Sequence, residues 1–319
     1  MASDVSLKGL GRETLTLFIC NENLCPFCFF SSYLVYMGLI DKLYGCFLSI
    51  QGPVDENPKM ATFLQHATEL LHGMCKLCFA VTGRSPSIFD NKRQDPTGLT
   101  ALLQSTDLVG VLHMLYCILL HGSTPDPNTA SPVEGYPESV IQVAIHSIRF
   151  LNSFALLDLS AFQSVLGAEG LSLAFRHIIS SLLWYCAHHT CEHLLHEVII
   201  CVGYFTVNHQ DNQVIVQSGR QPSVLQKLCQ LPFQYFSDPR LIKVLFPTLI
   251  SACYNNSQNK VILEQEMSCI LLATFIQVRI FTGNREKVSQ SLDYLELSNR
   301  FPREQWDTAL QFFLKKQDN

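Results

Sequence analysis

An internal echo narrows the fold more than any other feature of this chain. Asn212-Gln213-Val214-Ile215-Val216 returns as Asn259-Lys260-Val261-Ile262-Leu263, 47 positions later. The order around each copy is the same. An apolar helical run (194–207, then 241–254) leads into a polar turn (208–212, then 255–260), and a short helix follows. Self-similarity at this length belongs to helical arrays, in which armadillo or HEAT-like units run about 40–47 residues. One such unit cannot hide its own apolar face, so neighbours stack and bury it jointly. The expected fold is therefore all-α, an armadillo/HEAT-like helical-repeat solenoid.

Glycines mark the corners of such units. Gly38 stands between two short helical patterns in 34–48, and Gly170 and Gly219, 49 positions apart, hold the same place further on. A corner of this kind calls for positive φ, which glycine accepts without strain. The corner near Glu266 and Met267 has no glycine, as befits a terminal unit with one side facing water. Long amphipathic helices are expected at 59–81, 99–121 and 140–157, separated by breaker-rich loops at 82–98 and 122–137. The resulting division is an N-terminal segment at 1–30, repeats at 31–277, a polar linker at 278–300 and a capping helix at 301–319.

Charged residues make up 15% of the chain and hydrophobic ones 48%, so a large core is expected. The net charge of −5 argues against a surface built for nucleic acid throughout. Residues 201–319 hold 12 Lys/Arg against 10 Asp/Glu, whereas residues 1–200 hold 10 against 17, so a local basic face would lie in the C-terminal third. The 13 cysteines are odd in number and sit in apolar runs, which points to reduced, buried thiols. Residues 24–40 form 17 positions without charge, near the lower limit for a membrane span. The favoured reading is two short buried helices broken near Ser31.

Two constellations could carry chemistry. Cys186-Ala-His-His189-Thr-Cys191-Glu-His193-Leu-Leu-His196 offers six Cys and His side chains able to hold a metal in 11 residues. On a continuous helix His189, His193 and His196 would share one face, as helix-borne zinc ligands do. No HExxH and no spaced Cys pair accompanies them, and a polar link between two helices of one repeat explains them as well. Cys25-Pro-Phe-Cys28 has the spacing of a redox dithiol, but the strand and βαβ unit that chemistry needs are not evident. A zinc or thiol enzyme built on either stretch is the alternative to a non-enzymatic protein. No Gly-rich phosphate loop, GxSxG or kinase signature occurs.

Armadillo grooves hold extended peptides through an Asn on each long helix. Asn152, in Phe150-Leu-Asn-Ser-Phe154, takes that position. The matching places at Tyr204 or Phe205 and at Ala252 carry no Asn, which argues against peptide binding of the importin kind. Arg240, Lys243 and the Asn255-Asn256 turn offer a second candidate contact surface.

Several long strings resemble one family. They are Phe89-Asp-Asn-Lys-Arg-Gln-Asp-Pro-Thr-Gly-Leu99, residues 107–115, 196–219, 224–256 and 263–276, Asp293-Tyr-Leu-Glu-Leu297, and Phe312-Phe-Leu-Lys-Lys316. Over most of 33–319 the chain is similar to the C-terminal part of the S-phase cyclin A-associated proteins in the endoplasmic reticulum. The resemblance implies a non-enzymatic regulator with no cofactor, associated with cyclin A and its kinase. It also implies an adaptor in tubulin mRNA decay, joining a ribosome-bound factor that reads nascent tubulin to the CCR4-NOT deadenylase. A contact with ribosomal RNA and an indirect membrane association accompany that role. The implied location is the cytoplasm and the cytosolic face of the endoplasmic reticulum, with a nuclear pool as a further option. The family's zinc finger, coiled coil and proposed membrane segment lie upstream of the matched region, and residues 1–30 and 278–290 do not follow the family pattern.

Overall fold

The computed structural model describes residues 37–54, 57–83, 85–89, 107–120, 135–283 and 294–315. Every regular element among them is a helix, and no strand occurs. Cys25, Cys28 and most of 24–40 lie outside the described residues, as do most of the two loops expected at 82–98 and 122–137.

Local capping chemistry starts several of the helices. Asn57 caps α2 (Pro58–Thr82) by accepting from the Met60 amide, with Pro58 at the first position, after α1 (Leu39–Leu48). Then come α3 (Asp107–Leu120) and α4 (Glu138–Leu157). Asp158 caps α5 (Leu159–Leu166) through the Ala161 amide at 2.9 Å, and α6 (Leu171–His188) and α7 (Glu192–Thr206) follow. After α8 (Gln210–Gln217), Ser223 and Gln226 form a reciprocal capping box on α9 (Val224–Cys229). A single turn, α10 (Gln234–Ser237), leads to Asp238, which caps α11 (Pro239–Cys253). Asn256 caps α12 (Ser257–Glu266), followed by α13 (Cys269–Gly283). The chain ends in α14 (Leu297–Arg300), a 3-10 turn at Arg303–Gln305, and α15 (Trp306–Leu314). Gly38, Gly170 and Gly219 have φ of 66°, 84° and 95°, the left-handed conformation expected at the corners.

The helices pack in two series. α2 lies on α4, α4 on α7, and α7 on α11. Alongside them α1 lies on α3, α3 on α6, α6 on α9, and α9 on α12. One continuous apolar core, including Leu71, Phe150, Phe154, Phe205 and Leu249, runs through both. α4 is long and apolar enough to cross a membrane, yet 78% of its apolar window is buried inside the protein, as in a core helix. α13 continues to Gly283, beyond the linker boundary expected at 278, with Ile280 packed on the core and Thr282 bonded back to the Val278 carbonyl.

The echo found in the sequence has a physical cause. An α-helix leaves its last carbonyls without intrahelical partners. Gln163 of α5 donates its amide to the Tyr204 and Val207 carbonyls at the end of α7, at 2.9 and 2.8 Å. Gln213 of α8 does the same for Ser251 and Tyr254 at the end of α11, at 2.9 and 3.0 Å. Lys260 of α12 takes the third such place, donating to Phe312 at 2.8 Å and to Lys315 at the end of α15. The residue before the second and third clamps works backwards. Asn212 donates to Phe205 and Gln163 carbonyls, and Asn259 to Ala252 and Gln213 carbonyls. α8 thus ties α7 to α11, and α12 ties α11 to α15. These five side chains are all at least nine-tenths buried, where an unpaired carbonyl is most costly.

Candidate partner-binding groove

Three consecutive long helices line a hollow of about 350 Å³. α2 contributes His72 and Lys76, one turn apart. α4 contributes Arg149, Asn152, Ser153 and Leu156, and α7 contributes Glu197, Ile200 and Tyr204. Spacings of three, four and seven put each set on one helical face. Tyr294, 48% exposed, closes one side.

The segment carrying Tyr294 is held by an unusual anchor. Pro247, inside α11, has no N–H, so the Lys243 carbonyl four residues earlier loses its helical donor. Buried Arg300 supplies the replacement, donating to the Lys243 and Val244 carbonyls at 3.1 and 2.8 Å and to the Thr248 hydroxyl at 2.6 Å. Desolvation lowers its pKa to about 10, so the guanidinium stays charged at neutral pH. Glu296 adds ion pairs to Lys243 at 2.7 Å and Arg279 at 3.1 Å.

Inside the groove, Glu197 is already engaged. Its carboxylate accepts from Arg149 Nε at 3.0 Å and from Asn152 Nδ2 at 2.9 Å, and Asn152 Nδ2 also donates to the Glu197 carbonyl at 3.0 Å. Both amide hydrogens of Asn152 are used. Its Oδ1 is buried without a partner, on a side chain only 6% exposed. Ser153 Oγ lies 2.7 Å from His72 Nδ1. Burial, with Lys76 and Arg149 adding repulsion, pulls the His72 pKa down to about 4, so the ring is neutral at pH 7. Lys76 is exposed and has no carboxylate partner among the described residues. The lining therefore carries two cations and one anion, with the anion spent. Ser153 and His72 have no backbone oxyanion site beside them. Both sit inside helices, whose backbone N–H groups are occupied by the helices' own carbonyls.

The other residues singled out in the sequence are dispersed. The common face expected for His189, His193 and His196 does not form, because α6 ends at His188 and α7 begins at Glu192. His189 stands in extended backbone between them and stacks on Tyr185 with ring centroids 4.5 Å apart. His196 bonds the Tyr235 hydroxyl at 3.0 Å, and His193 is exposed. Cys186 and Cys191 are half-buried, and burial raises the Cys186 thiol to about 12, far from a reactive thiolate. No group of three or more His, Cys, Asp or Glu among the described residues is placed to hold a metal ion. Arg240, its side chain 89% exposed, pairs with Asp238 at 2.9 Å. Asn255 lies at the far end of α11, in a turn with φ of 60°, and Asn256 is used as the cap of α12. At 1.5 Å rise per residue, Lys243 and Asn255 are about 18 Å apart along that helix, so they do not share one contact spot. Only Asn152 lies in the groove. Lys76, His72 and Glu197 were missed, although Arg149 and Asn152, interrupting an apolar run three residues apart, are a legible sign of a polar inner face.

No family model matches the chain. Among curated proteins it is similar to human "S phase cyclin A-associated protein in the endoplasmic reticulum", 73% identical over 295 residues. The alignment takes in 90% of this chain and 21% of that protein, so the chain spans about a fifth of the relative's length. Such identity along nine tenths of its length makes this chain a homologue of one region of that human protein, in keeping with the C-terminal placement its long strings imply.

Proposed function

We propose that this chain is the helical-repeat docking module of a non-enzymatic, cyclin A-associated regulator at the endoplasmic reticulum. The observation that carries the reading is the serial packing of α2, α4, α7 and α11, the first three of which share a groove across their faces. In this reading the two series of helices are an armadillo-like solenoid over 31–277, carried on by α13 to Gly283, with 301–319 as cap. The relative's name supplies cyclin A and the endoplasmic reticulum. The finer role is that of an adaptor in tubulin mRNA decay, bridging a ribosome-bound factor that reads nascent tubulin to the CCR4-NOT deadenylase. The groove around Asn152 and the exposed Arg240 are the proposed contact points, on separate parts of the surface.

Two measurements test this. Solution scattering is expected to give a radius of gyration clearly above the roughly 20 Å of a compact body of this length. Immobilised full-length chain is expected to capture purified cyclin A with its kinase, and separately the deadenylase complex. A compact particle refutes the solenoid. Failure to capture either partner refutes the adaptor reading for this part of the protein.

A further inference from the structure

α13 turns a side to solvent that carries no charge. Ile270, Thr274, Gln277 and Phe281, spaced four, three and four, share one helical face, with Leu271 and Val278 along its flank. All six are exposed, Ile270 at 62% and Phe281 at 64%. The other side of the helix meets the core through Leu272, Ala273 and Ile276. We infer that the exposed side is where two copies of this chain pair, their α13 helices antiparallel about a twofold axis that passes between Thr274 and Gln277. The inference goes beyond the docking-module reading and uses none of the groove's residues.

Three observations name a second copy as the occupant. First, the spacing along the face reads the same in both directions. Under that axis Ile270 of each copy meets Phe281 of the other, and Thr274 of each meets Gln277 of the other. The bulky residues stand at the two ends, and the short threonine lets the backbones approach at the centre. The glutamine amide and the threonine hydroxyl there are hydrogen-bond partners for each other, twice over. A patch that fits itself in this way is what a closed twofold pair requires.

Second, the area matches a stable dimer. Phe233, 79% exposed, extends the patch, because Gln230 bonds Glu266 at 3.2 Å and so sets the segment before α10 alongside the start of α13. Two phenylalanines of about 200 Å² and three aliphatic side chains of about 120 Å², open by two-fifths to four-fifths, expose roughly 450–500 Å² of apolar surface. Homodimer interfaces are about 65% apolar, so this implies roughly 700–750 Å² per copy, near the ~800 Å² of a standard-size interface.

Third, charge disfavours other occupants. A helix that lies on lipid carries Lys or Arg along its polar border. The one cation of α13, Arg279, is taken by Glu296 at 3.1 Å and by the Phe275 ring. A partner selected by charge finds nothing to read on this side. A second copy needs this neutrality, since a charge near a twofold axis meets its own like.

Sedimentation velocity of the full chain tests the pairing. The mass is expected to rise from that of one chain at about 1 µM towards twice that at about 200 µM, as befits an interface of this area. Ile270→Lys and Phe281→Glu each act twice in the pair, and each is expected to weaken dimerisation at least about tenfold. The double variant is expected to regain most of that loss, because each lysine then faces a glutamate of the other copy. Within one chain the two positions are about 16 Å apart along α13, too far to pair with each other. Leu173→Glu, at a half-exposed position on α6, is the remote control and leaves dimerisation unchanged. All three positions are exposed, so circular dichroism and Tm are expected to match the wild type. A chain that stays monomeric throughout, a dimer indifferent to Phe281→Glu, or a double variant no better than the singles overturns the inference. So does a monomeric chain that floats with phosphatidylcholine vesicles and loses this in Phe281→Glu, a result that assigns the face to lipid. A monomeric chain that still captures cyclin A overturns this inference alone and leaves the adaptor reading standing.

Discussion

Gln213→Met is the sharpest test of the clamps that join one unit to the next. Methionine nearly matches glutamine in length and volume, so the change removes hydrogen bonds without opening a cavity. Gln213 is 2% exposed, and its Nε2 donates to Ser251 and Tyr254 carbonyls that have no intrahelical partner. Two lost bonds cost about 1 kcal/mol each, and two stranded carbonyls inside the protein add a further penalty. Against this, Gln213 Oε1 is itself buried without a partner, and its removal returns about 1 kcal/mol. The net expectation is a loss of about 2–3 kcal/mol. With a urea m-value of about 3 kcal/mol/M for a chain of this size, the unfolding midpoint falls by somewhat under 1 M. Gln217→Met is the control. Gln217 bonds Gln258 at 3.1 Å in a solvent-exposed contact at the end of the same helix, and its loss is expected to stay within about 0.5 kcal/mol. Equal effects of the two substitutions, or no shift for Gln213→Met, would refute the claim that the amide holds the end of α11.

Gly203→Ala in α7 would ordinarily stabilise a helix by about 0.5–1 kcal/mol. Here a Cβ would meet Thr248 Oγ1 at 2.7 Å and Arg300 Nη2 at 3.1 Å, so a loss of about 1–3 kcal/mol is expected, read as a lower Tm. Acid should destabilise the fold through His72. The folded protein keeps this ring neutral down to about pH 4 while the unfolded chain protonates it near 6.5, so unfolding takes up a proton between those values and stability falls as pH falls. Allowing for its partial exposure, the loss is about 1–2 kcal/mol, and urea titrations at pH 7 and 4.5 should show a smaller drop for His72→Gln. Among the described cysteines, Cys46 is exposed, whereas burial holds the Cys229 and Cys269 thiols near 12. Brief alkylation of native protein at pH 7.5, mapped by mass spectrometry, should mark Cys46 and spare those two until denaturant is added.

The parts of this molecule that were legible beforehand are those written at local periods. The all-helical class, the glycine corners at 38, 170 and 219, and the long helices follow from spacing that recurs within a few turns. The echo at Asn212 and Asn259 was visible as a repetition, but its reason was not. Gln213 meets its acceptors 38 and 41 positions away, and no local pattern announces that. The groove was half legible for the same reason. Asn152 could be placed on the long helix, but its partner Glu197 lies 45 positions on and His72 lies 81 positions before Ser153. The histidine cluster misled in the opposite direction. Proximity in sequence looked like proximity on one face, and a helix ending at His188 separates it. Arg300 gave no sign at all, since its role depends on a proline more than fifty positions upstream.

The order of the clamps along the chain bears on how the protein is made. Gln163, Gln213 and Lys260 all precede the carbonyls they seize, by 38 to 55 positions. On a translating ribosome each clasp therefore emerges before the helix end it will hold. A newly synthesised helix can dock at once on a finished neighbour, with little loop to close and no need to wait for the far end of the polypeptide. At the end of α15 the clasp is a lysine, where the two earlier positions use an amide.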